Sequence, residues 1–288
     1  MGVFKAIFSG MGTTFRRPRL LVILYAVNLV FAGLAALPFL LIVQGELGHS
    51  LYGLNVLPVD LNWIGEAVLK YQAVLPGLAA GLVAAGVVYL VVHIFLNGGI
   101  VGRLLDKEGP ASLAEFVADC GRYFGRYVRL FLVSLVFLVL TLGVFMSLVS
   151  ALFKPLAEAA PTEWWPLILS NLDLLIALLL LSIVHMTVDY ARIAVAVDGE
   201  RKVLKALRHA LTFLKTRFFR AWAVYLLIVV LTVAGTIVFS IVFGRLGAIS
   251  VAQVAAGLAC MQIYIVFRIW VRTLFVAAQA EFYKAHPY

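Results

Sequence analysis

Seven polar side chains stand in or beside the oiliest parts of this chain: His93, Asn97, His185, Asp189, Arg192, Arg268 and Arg272. A polar or ionisable group in hydrocarbon is costly, so each is a site hypothesis by default. The chemistry on offer is ion pairing, proton relay or ligand recognition. Imidazole titrates near neutral pH and binds metals. His93 and His185 are expected at matching depths, about one turn inside the inner membrane face. No third ligand stands at a suitable spacing, so no metal and no cofactor is expected, and packing histidines are the plainer reading. Asp189 is expected to pair with Arg268, Arg272 or Arg192, either tying two helices together or capping its own helix. Asn171 and Asp173 fall close to the outer headgroups, where solvation suffices.

Catalysis would need more than this. The chain has no HExxH, no GxSxG, no Walker A, no kinase set and no paired carboxylates at mid-membrane, so no enzymatic activity is expected. Its only cysteines, Cys120 and Cys260, fall in a loop and in a span, which suggests no disulfide and no redox motif.

The elements that must position these groups follow from composition. Of 288 residues, 64% are hydrophobic and 13% charged, with a mean hydropathy of +1.06. A soluble domain carries about 25% charged residues. A chain this size has too much surface to hide so much apolar area from water. Lipid is the alternative solvent, and crossing it takes about 20 apolar residues per helix. The expected fold class is all-α: one polytopic membrane domain over 1–288, with spans near 20–43, 76–97, 128–152, 166–188, 221–243 and 250–283.

Orientation follows from charge. Of the 23 Lys and Arg, only Lys70, Lys154 and Arg245 fall on one side, leaving 20 on the other. Cytoplasmic loops collect these residues, so both termini are expected in the cytoplasm. The formal charge of +9 then has a topological explanation, and nucleic acid is not an expected partner. Arg17, Arg126, Lys202, Lys205, Arg208 and Arg220 are expected to contact anionic lipid headgroups on that side.

Three hairpins follow one another, each entered by Phe-x-Arg: Phe15 and Arg17, Phe124 and Arg126, Phe218 and Arg220. Two of them follow a candidate amphipathic helix. In "SLAEFVADCGRYFGRYV", Ser112 and Glu115 suit a capping box, and Leu113, Phe116, Val117, Cys120, Phe124 and Tyr127 share a face. In "GERKVLKALRHALTFLKTRFF", Leu204, Leu207, Leu211, Leu214 and Phe218 form a stripe. "GVFKAIFSGM" is a shorter version. The exits of the second and fourth spans also align, His93 with His185, Asn97 with Asp189, Asp106 with Asp198 and Glu108 with Glu200. Three repeats over about 1–109, 110–200 and 201–288 are expected; the bland alternative is that interfaces collect aromatics and Arg anyway.

Other features concern packing and anchoring. Gly77, Gly81 and Ala85 make a small-residue face on which another helix can approach closely. "LNGGIVG" offers flexibility or a helix break. Trp63, Ile64, Val68 and Tyr71 suit a short interfacial helix, and Trp164 and Trp165 suit the headgroup level.

The segments "VDYARIAVAVDGERKVLKALRHALTFL" and "GRYFGRYVRLFLVSLV" resemble those of uncharacterised six-helix bacterial membrane proteins. That group is similar to the membrane domain fused to some glycerophosphodiester phosphodiesterases. The likeness covers the second to fifth spans. No phosphodiesterase catalytic domain is present, so the resemblance implies a bacterial membrane protein and carries no catalytic residue. Two functions fit best: a non-catalytic scaffold or accessory subunit with membrane-protein partners or copies of itself, and a permease or binding protein for a lipid or other amphiphile.

Overall fold

The computed structural model describes residues 2–47, 65, 68–105, 112–159, 162, 164–200, 202–246 and 250–286. Trp63, Ile64, Asp106 and Glu108 lie outside the described residues, and with them part of the expected interfacial helix and of the aligned span exits. The chain is all-α, and among the described residues no strand occurs. Among the described residues six helices are long and apolar enough to cross a membrane, so this is a multi-pass integral membrane protein.

The elements are α1 (Val3–Phe15), α2 (Pro18–Leu47), α3 (Leu75–Leu105), α4 (Leu113–Glu158), α5 (Trp164–Val197), α6 (Val203–Arg245) and α7 (Val251–Lys284). Several outrun the hydrocarbon. At 1.5 Å per residue α6 measures about 65 Å against a core of about 30 Å. Its charge-free part, 221–244, is the part suited to lipid, as is 130–153 of α4.

Local chemistry sets the helix ends. Pro18 opens α2 at a position where a backbone N–H would be unsatisfied anyway. Ser112 and Glu115 close the expected capping box on α4 (3.2 Å in each direction). Ser250 and Gln253 cap α7 reciprocally, at 3.1 and 3.3 Å. Gly199 takes a φ of +65° just past α5, where a side chain would be strained. Two helices are interrupted. Leu140–Phe145 of α4 forms a π-helical turn, with the Met146 N–H donating to the Thr141 carbonyl. Arg217 leaves helical geometry (φ −136°, ψ 24°) inside α6. The three Phe-x-Arg entries therefore differ in build: a turn at Arg17, unbroken helix at Arg126 and a kink before Arg220.

The chain divides into two compact units. The first comprises Met1–Gly12, Ile94–Leu226 and Phe275–Tyr288. Its core is supplied by the end of α3, the first part of α4, the end of α5, the first part of α6 and the end of α7. Tyr190, Phe213, Phe282 and Tyr283 make an aromatic cluster there, with Phe213 5.0 Å from Tyr190 and 5.0 Å from Tyr283. The second unit comprises Thr13–His93 and Leu227–Leu274. There Gly235 of α6 lies so close to the Phe267 ring of α7 that no Cβ would fit, so the two helices pack directly on each other.

Two expected apolar faces divide between buried and exposed residues. The buried stripe of α4 is Phe116, Asp119, Cys120, Tyr123, Tyr127 and Leu130, whereas Leu113 and Val117 are exposed. The buried side of α6 is Val203, Ala206, Leu207, Ala210, Phe213 and Leu214, whereas Leu204 and Leu211 are exposed. Small residues decide this: Cys120, Ala206 and Ala210, all at 0% exposure, let neighbouring backbones come close where leucines would not.

Candidate functional site

The densest polar contact in the first unit was not read from the sequence as a site. "LNGGIVG" is not a helix break: it lies within α3, with Gly98, Gly99 and Gly102 buried. A Cβ on Gly99 would stand 2.5 Å from the Cys120 sulfur and from the Phe116 ring, and one on Gly102 2.7 Å from an Asp119 oxygen. The bare backbone thus admits α4. Just beyond, the Arg103 Nε donates to Asp119 at 2.6 Å and its Nη1 to Glu115 at 3.1 Å. Arg103 and Asp119 side chains are each 12% exposed. The signal was present as three glycines on one helix face ahead of an arginine, and as one acid on an otherwise apolar stripe. Burial first, with the neighbouring Asp119 charge helping, pushes the Cys120 thiol from 9.0 up to about 11.

The end of the same unit is held by further polar contacts. The Tyr283 hydroxyl donates to Asp198 at 2.7 Å, with His209 Nδ1 3.6 Å from that carboxylate. Lys284 donates to the Leu105 carbonyl at 3.1 Å, satisfying an orphan acceptor at the end of α3. Ser9 donates to Glu281 at 3.2 Å.

The seven residues first singled out are distributed as follows. Asp189 accepts from Arg192 at 3.0 Å, so the candidate partner on its own helix is one that it engages. The Arg192 carbonyl accepts from the Tyr127 hydroxyl at 3.1 Å, joining α5 to α4. Asn97 is half-buried and His185 exposed. In the second unit Arg272 Nη2 lies 3.3 Å from His93 Nδ1. Arg268 is exposed, over the Tyr264 ring at 5.9 Å. Among the described residues no three His, Cys, Asp or Glu side chains converge as a metal would require.

The second unit also holds groups that the sequence reading passed over. The Tyr89 hydroxyl donates to Asn28 Oδ1 at 2.5 Å, and Asn28 donates to the Leu24 carbonyl at 2.8 Å. The Tyr89 ring lies 5.5 Å from His93. Asn28, Tyr89, His93 and Arg272 thus form a connected row through α2, α3 and α7, hydrogen-bonded at its two ends and joined by a ring contact in the middle. Tyr25 donates to Gln262 at 2.7 Å, and the hydroxyls of Thr236 and Tyr264 are 2.9 Å apart. No spacing rule marks Asn28 or Tyr89; only the approach of the helices joins them.

Of the cations assigned to anionic lipid, Lys202, Lys205 and Arg208 line one groove together with Arg129, Val133, Val203 and Leu204. Lys205 pairs with Glu200. Arg126 lies over the Tyr123 ring at 5.9 Å, Arg220 is exposed, and Arg17 is half-buried at the turn into α2. Gly77 and Gly81 meet no described atom within 4 Å of where a Cβ would stand, and the neighbouring Ala85 is only half-buried. No family model, curated protein or solved structure matches the chain.

Proposed function

We propose that this integral membrane protein is a non-catalytic scaffold or accessory subunit of a bacterial inner-membrane assembly, with both termini in the cytoplasm. The observation that carries the reading is how little of each span is covered within one chain. In the most apolar stretch of α4 and of α5 no residue is buried, and the largest buried share in any span is 17%. Apolar area is at home in lipid, but helices that bury so little of one another leave faces for other helices. Gly77 and Gly81 are open on α3, and small residues are what lets transmembrane helices associate closely. On the basic side the exposed Phe4, Phe8, Leu204, Leu211 and Phe219 offer amphipathic faces for lipid or a docked partner. The test is native mass spectrometry of the full chain from mild detergent and from nanodiscs. A homo-oligomer or a stoichiometric second protein is expected; a monomer carrying only lipid in both settings overturns the reading.

A second reading, a permease or binding protein for a lipid or other amphiphile, is favoured by the chain Asn28–Tyr89–His93–Arg272. Ionisable groups within spans are functional-site hypotheses by default, and here they are linked to one another. Under this reading Arg272→Ala abolishes amphiphile copurification or uptake while leaving assembly mass unchanged.

A further inference from the structure

We infer that the groove between α4 and the start of α6 is a binding site for one anionic phospholipid, its phosphate held by Arg129, Lys202 and Arg208 and its acyl chain laid along α4. The groove encloses about 660 Å³ and is lined by Arg129, Val133, Lys202, Val203, Leu204, Lys205 and Arg208. That volume lies within the range of small-molecule sites. Two independent features fix the occupant.

The first is charge. Four of the seven lining residues are cations and none is an acid. Only Lys205 has an acid partner among the described residues, Glu200. The groove therefore presents a net positive rim, with Arg129 and Arg208 able to grip a phosphate through two N–H groups each.

The second is the apolar floor and where it leads. Val133, Val203 and Leu204 supply it, with Leu204 71% exposed. Such exposure of leucine beside four cations suits neither water nor a free anion. Arg129 is the last charge on α4 before the uncharged run 130–153. Val133 lies one turn further on, and Leu132 and Val136 are exposed along the same helix. The site thus straddles a headgroup-to-hydrocarbon boundary, where a lipid presents phosphate and chain in that order. A free phosphate would need the rim alone; a neutral lipid would need the floor alone.

This inference requires only that the chain is a membrane protein, and stands whether the chain acts as a scaffold or as a permease. It is tested on the full chain, delipidated in detergent, by native mass spectrometry with phosphatidylglycerol, phosphatidylcholine and inorganic phosphate as separate probes. One tight phosphatidylglycerol per chain is expected, preferred over phosphatidylcholine. Each of Arg129→Gln, Lys202→Gln and Arg208→Gln should weaken that preference about fivefold. The control triple Lys5→Gln, Arg122→Gln, Lys215→Gln, at exposed cations off the groove, should leave it unchanged. Leu204→Ser should weaken phosphatidylglycerol binding without altering any response to phosphate. Equal binding of the two lipids overturns the proposal. So does a groove triple that keeps the wild-type preference, or millimolar phosphate that displaces the lipid from wild type and Leu204→Ser alike. Unchanged thermal unfolding of each variant separates loss of the site from loss of the fold.

Discussion

Asp119 is an acid on the buried side of a helix, and it is tolerated because Arg103 meets it edge-on while Gly102 leaves room for its oxygens. Removing one member of a buried pair strands the other's charge and costs about 3–5 kcal/mol. Glu115 remains beside Arg103, so Asp119→Asn should cost less, about 2–3 kcal/mol, read as a lower SDS unfolding midpoint. The double variant Arg103→Gln, Asp119→Asn should lose less than Asp119→Asn alone. Cys120 beside it makes a second prediction. The folded thiol keeps its proton to about pH 11, and thiolate is the reactive form. In a Cys260→Ser background, maleimide at pH 8 should barely label the folded protein and should label it fully in SDS. Between pH 9 and 11 the unfolded chain releases this proton and the folded chain does not. Stability should therefore fall as pH rises through that window.

Helix contacts here turn on backbone approach. A leucine at Gly99 would drive its Cβ into the Cys120 sulfur and the Phe116 ring. Overpacking of this kind costs about 1–3 kcal/mol, so Gly99→Leu should lower the thermal unfolding midpoint, whereas Gly81→Ala, facing open space, should not. The six spans were legible because length and apolarity suffice to specify a transmembrane helix. So was the Ser112–Glu115 cap, a rule that spans four residues. The inward faces of α4 and α6 were not. Periodicity groups side chains by oiliness and so set Leu113, Leu204 and Leu211 on the same stripes as residues that prove buried. In lipid an exposed leucine costs nothing, and the inside goes to small residues such as Gly99, Ala206 and Ala210. The groove was half legible: Lys202, Lys205 and Arg208 stood out by charge, while Arg129 and Val133 lie some seventy residues earlier and join them only through packing. Asn28 and Tyr89 carried no local signal at all.

At the scale of the whole molecule the one firm asymmetry is charge. Lys70, Lys154 and Arg245 are the sole Lys and Arg assigned to one side, against 20 on the other. The proposed orientation is checked with single cysteines at Lys5 and Lys284, and at Lys154, in a Cys120→Ser, Cys260→Ser background. An impermeant maleimide applied to intact spheroplasts should label only the Lys154 site; labelling at either terminus reverses the topology. Because so little of the spans is covered within one chain, assembly state and lipid environment should govern stability more than any single contact between spans.

The π-helical turn in α4 acts as a phase shifter. One residue more than an α-turn needs is accommodated over Leu140–Phe145, and each helical residue turns the chain by about 100°. The part before the turn is therefore indexed to α3, through Phe116, Asp119 and Cys120. The part after it is indexed separately to α5, where Ser150 donates to Asp173 at 3.1 Å. Deleting a single residue from 140–145 would heal the helix into plain α geometry and rotate everything after it by that angle. A cysteine pair at Ser150 and Asp173 should then cross-link in the full-length chain and fail to do so in the deletion, although the deletion makes the helix more regular.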